Sequence, residues 1–289
     1  MYRHVKHPCL VPFNGSFEIG EAPTRAAGEI LDKTQYREQL EAKREELDRL
    51  QRLFYAHDRH ALLLIFQGLD ASGKDSTVRA VMRSIDPGGC YVHAFKQPSQ
   101  EELQHDFLWR TGLRLPGRGM IGIFNRSYYE EVLITRAHPE LLTAQRLPTS
   151  PTGEQLWQER FESIRQHELH LARNGTLVMK FWLNISYEEQ RKRFLKRLKR
   201  PDKHWKFSED DIRERDYWDD YMQAYQAMLN ATSRDYAPWY AIPADNKPYA
   251  RLLVASLLVD RLQQLKLNYP QPDATMRARF ETLRHLLED

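Results

Sequence analysis

The residues best placed to do chemistry lie in a glycine-rich stretch, GLDASGKD, at positions 68–75. The spacing from Gly68 to Lys74 is that of a loop whose backbone N–H groups surround a phosphate group. A strand is expected before it, because residues 61–66 (ALLLIF) form a short continuous apolar run. A helix is expected after it, because residues 76–82 carry apolar side chains at helical spacing. The positive N-terminal end of this helix would then face the phosphate.

Two acidic residues distinguish this loop from the common form. Loops of this type normally have Ser or Thr after the lysine, and its hydroxyl binds Mg²⁺, whereas this chain has Asp75. Asp70 lies inside the loop, where it would repel a phosphate group unless a divalent cation lay between the two. We therefore expect Asp70 to bind a metal ion. The residues of the loop expected to contact phosphate are Gly68, Ala71, Ser72, Gly73, Lys74 and Asp75.

A second group of polar residues follows a later apolar run. Residues 120–124 (MIGIF) predict a strand, and Asn125, Arg126 and Glu130 come directly after it, where ligands bind in open α/β sheets. The planar guanidinium of Arg126 can bind two oxygens of a phosphoryl group and neutralise charge during its transfer. The alternative for Arg126 is a surface salt bridge to a neighbouring glutamate. Because Asn125 stands where a metal-binding carboxylate is usual, Glu130 or Asp70 must supply the negative charge.

A strongly basic segment, RKRFLKRLKRPDKHWK at 191–206, contains nine Lys or Arg residues and one acid, Asp202. A solvated helix face is the usual explanation for such a run. Pro201, however, ends the helix and leaves a basic, aromatic loop before the next helix begins. A flap of this kind beside a phosphate loop excludes water during phosphoryl transfer. We therefore predict a lid over about 191–215. Its expected ligand contacts are Lys203, Trp205 and Lys206.

Strands and helices alternate along the rest of the chain. Five apolar runs predict strands, at 61–66, 90–95, 120–124, 176–183 and 239–242. Helices are expected over 31–54, 76–82, 99–109, 154–173, after Ser186 and over 249–265; the one beginning at Ser99 has a capping-box signal with Glu102. Such alternation requires a parallel sheet with right-handed crossovers. We predict an α/β fold of the P-loop kinase type, with a five-stranded parallel sheet flanked by helices and a helical lid.

The domain organisation follows from composition along the chain. Residues 1–30 predict an irregular N-terminal arm, 31–269 a single P-loop kinase domain, and 270–289 a polar C-terminal tail. Residues 138–153, rich in Pro, Thr and Ser, predict a surface loop. No internal repeat or low-complexity tract is found.

Overall composition limits the class of protein. The chain has 289 residues, 41% of them hydrophobic, and a net charge of only +3, which disfavours a general nucleic-acid binder. Its two cysteines have no metal-ligand or disulfide spacing, as is usual in a reducing compartment. No run of eighteen apolar residues and no apolar signal core occurs. We therefore expect a soluble, cytoplasmic protein with no membrane or nucleic-acid partner.

Four strings together resemble the polyphosphate kinase 2 family: GLDASGKD at 68–75, FNRSYYEEV at 124–132, RPDKHWKF at 200–207 and APWY at 237–240. The resemblance covers about residues 30–270. It implies a thymidylate-kinase-like fold, dependence on Mg²⁺ or Mn²⁺, phosphoryl transfer between inorganic polyphosphate and a nucleotide, and a homo-oligomer, either a dimer or a tetramer. Asn125 and Glu130 are similar to the subgroup that accepts both AMP and ADP and forms ADP and ATP. Tyr128 differs, because that subgroup often has His there.

The motifs and the resemblance together assign the site residues. The catalytic residues are expected to be Asp70, Lys74, Arg126 and Glu130, with Asp70 and Glu130 as metal ligands. Outside the loop at 68–75, polyphosphate is expected to contact Lys96, Arg126, Lys203 and Lys206. The nucleotide is expected to contact Asn125, Arg126, Tyr129, Glu130 and Trp205.

Two other functions fit parts of the sequence. An ATP-dependent nucleoside or nucleotide kinase could use the same fold and the same loop. A non-catalytic binder of polyanions could use the basic segment at 191–206, but it would have no use for the loop at 68–75 or its acidic residues.

Overall fold

A computed structural model describes residues 4–26, 31–147 and 153–288 of the chain. It contains one five-stranded sheet in the order β2-β3-β1-β4-β5, in which every neighbouring pair is parallel. The strands are β1 (Ala61–Gln67), β2 (Cys90–Ala94), β3 (Ile121–Asn125), β4 (Thr176–Asn184) and β5 (Trp239–Pro243). The prediction of five parallel strands is confirmed, with each boundary within one or two residues.

Helices cover both faces of the sheet. They are α1 (Lys33–His57), α2 (Lys74–Val81), α3 (Trp109–Gly112), α4 (Ile134–Ala137), α5 (Glu154–Arg173), α6 (Tyr187–Leu198), α7 (Asp210–Arg213), α8 (Trp218–Thr232), α9 (Lys247–Gln263) and α10 (Ala274–Glu288). One apolar cluster joins a face of the sheet to α1, α2 and α9, through side chains such as Phe54, Val78 and Val254. A second joins the other face to α5 and α8, through Phe161 and Met228. The result is three layers, helix on sheet on helix.

The register of the central strands determines where the polar motifs meet. Every residue of β1 is buried, as expected for a strand covered on both faces. Phe66 lies opposite Asn125 of β3 on one side and Phe181 of β4 on the other. The loop after β1 and the polar segment after β3 therefore leave the same edge of the sheet side by side.

The segment predicted to be a helix over 99–109 is shorter and less regular. The reciprocal cap forms, since Ser99 N–H donates to Glu102 Oε2 at 2.8 Å and Glu102 N–H donates to Ser99 Oγ at 3.2 Å. Only a single 3₁₀ turn, Glu102–Gln104, follows before α3. Residues 99–106 bury no side chain, so the cap has no packed face to extend the helix.

The two terminal segments contribute differently to the fold. The described residues of the N-terminal arm are mostly irregular, and residues 9–11 extend the sheet beyond β5. Val11 N–H donates to the carbonyl of Trp239 at 3.0 Å, the carbonyl of Cys9 accepts from Ala241 N–H at 2.8 Å, and Val11 is fully buried. The C-terminal tail is not merely polar, because α10 occupies most of it and carries Met276, Phe280, Leu283 and Leu287 at helical spacing, all exposed.

The segment predicted to be a surface loop, 138–153, is described up to residue 147 and again at residue 153. A 3₁₀ helix covers Pro139–Gln145, and Gln145 Nε2 donates to both carboxylate oxygens of Glu131 at 2.9 Å. Residues 148–152 lie outside the described part of the chain. Within the described residues, every helix is too short or too polar to cross a membrane.

Candidate active site

The loop between β1 and α2 has the backbone shape of a phosphate cradle. Gly68, Ala71 and Gly73 all have positive φ, at 150°, 61° and 107°. A Cβ on Gly68 would lie 2.9 Å from Ser72 Oγ and 3.0 Å from the carbonyl oxygen of Leu183, so no larger residue fits there. The first turn of α2 leaves its N–H groups without intrahelical partners. These N–H groups and the helix dipole together favour an anion at this point.

Lys74 lies in the centre of this cradle. Its side chain is buried, and Nζ donates to the carbonyls of Gly68 at 2.5 Å and Leu69 at 3.2 Å. Burial lowers the pKa of Lys74, while Asp70 opposes this effect. The ammonium is thus held by the loop itself, where a phosphate oxygen can replace a carbonyl as its partner.

Arg126 and Asp70 face each other across the junction of β1 and β3. Arg126 Nη2 donates to Asp70 Oδ1 at 2.9 Å, and both side chains are about one-third exposed. Burial by itself would raise the pKa of Asp70, but Lys74 and Arg126 outweigh it and lower the pKa below its ordinary value. Glu130 and then Asp70 raise the pKa of Arg126. Both groups are therefore charged. A cationic ligand can replace Arg126 as the partner of Asp70, and an anionic ligand can replace Asp70 as the partner of Arg126.

Two further polar contacts hold the segment after β3 against the loop. Asn125 Nδ2 donates to Asp75 Oδ1 at 2.6 Å. Asp75 therefore joins α2 to β3, and the phosphate contact predicted for this residue stays a prediction. When the side-chain amide of Gln67 is oriented so that both its oxygen and its nitrogen have hydrogen-bond partners, Nε2 donates to Glu130 Oε1 at 2.9 Å. Glu130 is thereby oriented beside Arg126.

Two adjoining cavities share Arg126 and Glu130. The larger, about 560 Å³, lies between the segment after β2 and residues 126–145, and Phe95, Lys96, Phe107 and Arg110 line it. The smaller, about 270 Å³, lies between the loop after β1 and α8, and contains Asp70 and Tyr225. Of the predicted contacts, Lys96 lies on the wall of the larger cavity, away from the loop at 68–75. Arg126 thus stands where two ligands, one in each cavity, would meet.

In the segment predicted to be a lid, residues 191–215, the side chains that line the two cavities are acidic and not basic. Residues 201–206 form a 3₁₀ helix, in which Trp205 is 77% exposed and Lys203 has an ion pair with Asp202 at 3.8 Å. Neither lines either of these two cavities, and the ligand contacts predicted for them stay predictions. The side chain of Lys206 lies outside what the structure describes. The lid residues that line the cavities are acidic: Asp210, Asp211 and Glu214.

Tyr129, predicted to contact the nucleotide, is fully buried instead. Its hydroxyl donates to Glu168 Oε1 at 2.8 Å, and Tyr128 donates to the same oxygen at 2.9 Å. Glu168 in turn forms a fully buried ion pair with Lys180 at 2.7 Å. The two tyrosines therefore anchor the segment that carries Arg126 and Glu130, and the prediction for Tyr129 needs this correction. The hydrogen bond from Tyr128 to Glu168 also explains why this chain has a tyrosine at position 128.

Arg193 is a site residue that the sequence analysis does not identify, because a basic run of this kind usually forms a solvated helix face. It is only 8% exposed, and Nη1 donates to the carbonyls of Ala71 at 3.0 Å and Ser72 at 2.7 Å. Gln190, one turn earlier, donates to the carbonyl of Asp70 at 3.0 Å. The sequence contains a signal for the burial of Gln190 and Arg193. Both follow the Ser186 cap and lie on the same face of α6 as Phe194.

The acidic side chains fit a hard divalent cation of the Mg²⁺ type. Oxygen donors from Asp70, Glu130 and Asp211 line the smaller cavity, and burial together with Asp70 raises the pKa of Asp211. The described residues contain no group of three or more His, Cys, Asp or Glu side chains close enough to enclose an ion. Mg²⁺ commonly uses one or two carboxylates plus substrate phosphates and water, so the donor set suits an ion that binds with its substrate.

Comparison with known proteins gives a consistent result. The family model for polyphosphate kinase 2 matches residues 30–270. The chain is 49% identical over 271 residues to the ADP-polyphosphate phosphotransferase of Rhodopseudomonas palustris, which covers 93% of this chain and 94% of that protein. It is 42% identical over 236 residues to the AMP/ADP-polyphosphate phosphotransferase of Meiothermus ruber, covering 82% and 84%. The crystal structure of polyphosphate kinase 2 from Arthrobacter aurescens TC1 superimposes with a TM-score of 0.83 at 36% identity, covering 97% of this chain and 99% of that one.

Proposed function

The chain belongs to the polyphosphate kinase 2 family, and on that basis we propose how its site phosphorylates nucleotides with inorganic polyphosphate. It is a phosphotransferase whose donor is polyphosphate and whose acceptors are AMP and ADP. The observation that carries the proposal is the position of Arg126, which borders both cavities and contacts Asp70 of the phosphate loop at 2.9 Å.

The donor end of polyphosphate binds at the loop after β1. Lys74 Nζ and the N–H groups of the first turn of α2 bind its terminal phosphates, as the positive φ values of the loop and the buried ammonium favour. The same donors stabilise the charge that develops on the shortened polyphosphate when its terminal P–O bond breaks. Catalysis then rests on positioning and electrostatics, with no covalent enzyme intermediate.

The acceptor nucleotide binds in the larger cavity. Phe95 and Phe107 offer ring surfaces for the base, and Arg110 lies over the Phe95 ring at 5.3 Å. The acceptor phosphate then lies beside Arg126. An acceptor oxygen attacks the terminal phosphorus of polyphosphate in line, the P–O bond to the chain breaks, and the nucleotide gains one phosphoryl group. Glu130, held by Gln67 at 2.9 Å, keeps Arg126 oriented between the two substrates.

We assign Mg²⁺ as the metal, with Mn²⁺ as a substitute, and Asp70 and Glu130 as the residues that would hold it. When bound, the ion supplies positive charge to the phosphate oxygens of donor and acceptor. Asp70 also accepts from Arg126 at 2.9 Å, so the same carboxylate would hold the ion beside the guanidinium that binds the transferring group. The family resemblance also supports a homo-oligomer, either a dimer or a tetramer, which light scattering of the purified protein tests.

Nucleotide chromatography with defined donors tests this function. The protein is incubated with AMP, or separately with ADP, together with Mg²⁺ and polyphosphate but no ATP. ADP and ATP should form, and Lys74→Met should form neither. Product from AMP with ATP as donor, but none with polyphosphate, would identify an ATP-dependent kinase instead. A polyanion binder would form no product with either donor.

A further inference from the structure

A polar network lies in the core next to the segment that carries Arg126. Its centre is the ion pair between Glu168 of α5 and Lys180 of β4, in which Oε2 and Nζ are 2.7 Å apart and both side chains are 0% exposed. Glu168 Oε1 accepts from the hydroxyls of Tyr128 at 2.9 Å and Tyr129 at 2.8 Å. Neither Glu168 nor Lys180 lines either cavity. The pair therefore reaches the site through the two tyrosines.

Every proton of the Lys180 ammonium has an acceptor. Nζ donates to Glu168 Oε2 at 2.7 Å, to the Tyr129 hydroxyl at 2.7 Å, and to the carbonyl of Thr232 at the end of α8 at 2.9 Å. Burial raises the pKa of both tyrosines well above its ordinary value, so each hydroxyl keeps the proton that it donates to Glu168. A buried ion pair is weak evidence for stability, and its best-attested use is to fix the register of the elements around it. Here it joins α5, β4, α8 and the segment after β3.

The backbone of Arg126 requires support of this kind. Its φ of +63° is unfavourable for a residue with a side chain, and such conformations persist where the surrounding structure holds them. Tyr128 and Tyr129 follow it by two and three residues, and the N–H of Tyr129 also donates to Ser127 Oγ at 3.1 Å. Because both tyrosine rings are buried, their hydroxyl contacts fix the position of the chain just after Arg126.

We propose that Glu168 and Lys180 are positioning residues for phosphoryl transfer, which hold Arg126 in its left-handed conformation through the hydroxyls of the two tyrosines. The inference rests on the proposed function, because Arg126 acts there on the transferring group. Loss of the network would displace the guanidinium from that group without removing a charge that binds either substrate. It should therefore lower kcat more than it raises KM.

The first test removes only the two hydroxyls. In Tyr128→Phe/Tyr129→Phe, kcat with ADP, Mg²⁺ and polyphosphate should fall at least about tenfold, while KM for each substrate changes less than about twofold. Tyr240→Phe is the matched control. Its hydroxyl is also buried and donates to the carbonyl of Val5 at 3.0 Å, and neither residue lines either cavity. This control should lower Tm by a similar amount and leave kcat unchanged.

A double-mutant cycle then tests whether the tyrosines act through Arg126. Adding Tyr128→Phe/Tyr129→Phe to Arg126→Ala should lower kcat by less than about twofold further, because the side chain to be positioned is gone. Single turnovers with excess enzyme measure these low rates. The variant Glu168→Leu/Lys180→Met removes both buried charges together and so should keep the fold. Its kcat should fall as it does in the tyrosine variant.

Three results would each overturn the inference. Normal kcat in Tyr128→Phe/Tyr129→Phe would show that the hydroxyls position nothing. An equal loss of kcat in Tyr240→Phe would show a general effect of stability. A loss that is just as large in the Arg126→Ala background would show a role independent of Arg126. Failure of the proposed function gives a different result, because the unaltered protein would then form no ADP or ATP from polyphosphate.

Discussion

Arg126 combines an uncommon backbone conformation with two acidic neighbours. Its φ of +63° is rare for a residue other than glycine, and it aims the guanidinium back at the phosphate loop, where Asp70 accepts at 2.9 Å. Glu130 stands on its other side and raises its pKa. The side chain is therefore preorganised before any phosphate binds, which is the condition for electrostatic stabilisation of a transition state.

Replacing Arg126 tests that assignment. Arg126→Ala should lower kcat by about 10³–10⁵, the range found for arginines that contact a transferring phosphoryl group. Arg126→Lys should recover only part of this, because an ammonium cannot bind two oxygens at once. Steady-state rates with ADP and polyphosphate measure the effect, with thermal melting as the control for folding. Near-normal turnover of Arg126→Ala would remove Arg126 from the mechanism.

Residue types and spacing predicted part of the site. Gly68, Lys74 and Arg126 could be identified because the chemistry of phosphate binding limits which residues can stand there. Trp205 and Tyr129 could not be placed, because their exposure depends on tertiary packing. Trp205 is 77% exposed and Tyr129 is fully buried, although both are aromatic residues in motifs beside the site.

At the scale of elements, Arg193 connects three parts of the site edge. From α6 it donates to the loop before α2 and, through Nη2, to the carbonyls of Ala244 at 2.5 Å and Asp245 at 3.1 Å between β5 and α9. One guanidinium thus satisfies carbonyls of two separate loops, a geometry that lysine cannot reproduce. Arg193 therefore holds the phosphate loop and the loop between β5 and α9 in a fixed relation to α6.

Loss of this arginine should affect both stability and rate. Arg193→Met leaves buried carbonyls without a donor, at a cost on the order of 3 kcal/mol or more in the free energy of unfolding. Lys192→Met, an exposed neighbour on α6, should change it by less than about 0.5 kcal/mol. Urea unfolding measures both. Equal stabilities of the two variants would show that the Arg193 contacts do not support the loop.

Element positions were predictable wherever one face of the element is buried. The strands were found because β1, β4 and β5 are continuous apolar runs, and α5 because Asn174 and Gly175 mark its end. The helix expected at 99–109 was wrong because a cap alone cannot hold a helix without a packed face. The sequence analysis does not predict α10, because it assigns residues 270–289 to a polar tail from composition and does not use the helical spacing of their apolar side chains.

At the scale of the whole molecule, the two ends of the chain contribute differently to the fold. The N-terminal arm buries Val5 and Val11 and extends the sheet beyond β5, and the Tyr240 hydroxyl donates to the carbonyl of Val5 at 3.0 Å. In contrast, α10 buries none of its described residues. The compact unit therefore includes the arm, which sequence composition placed outside the domain.

Two truncations compare these ends. Deleting residues 1–13 removes two buried valines, each contributing about 1.5–3 kcal/mol, and should lower Tm by at least about 5 °C. Deleting residues 270–289 should change Tm by less than about 2 °C. Differential scanning calorimetry of both proteins and the full chain gives the comparison. An arm deletion that melts like the full chain would show that the arm is not part of the folded core.

The most direct measurement is a single turnover with end-labelled polyphosphate. Enzyme in excess is mixed with polyphosphate carrying ³²P in its terminal phosphate, then with ADP and Mg²⁺, in the presence of unlabelled ATP. The account predicts that the label appears in the terminal phosphate of new ATP, without a labelled protein intermediate, and that Arg126→Ala abolishes the transfer. Label that stays in polyphosphate with the intact enzyme, or that first becomes bound to the protein, would contradict it.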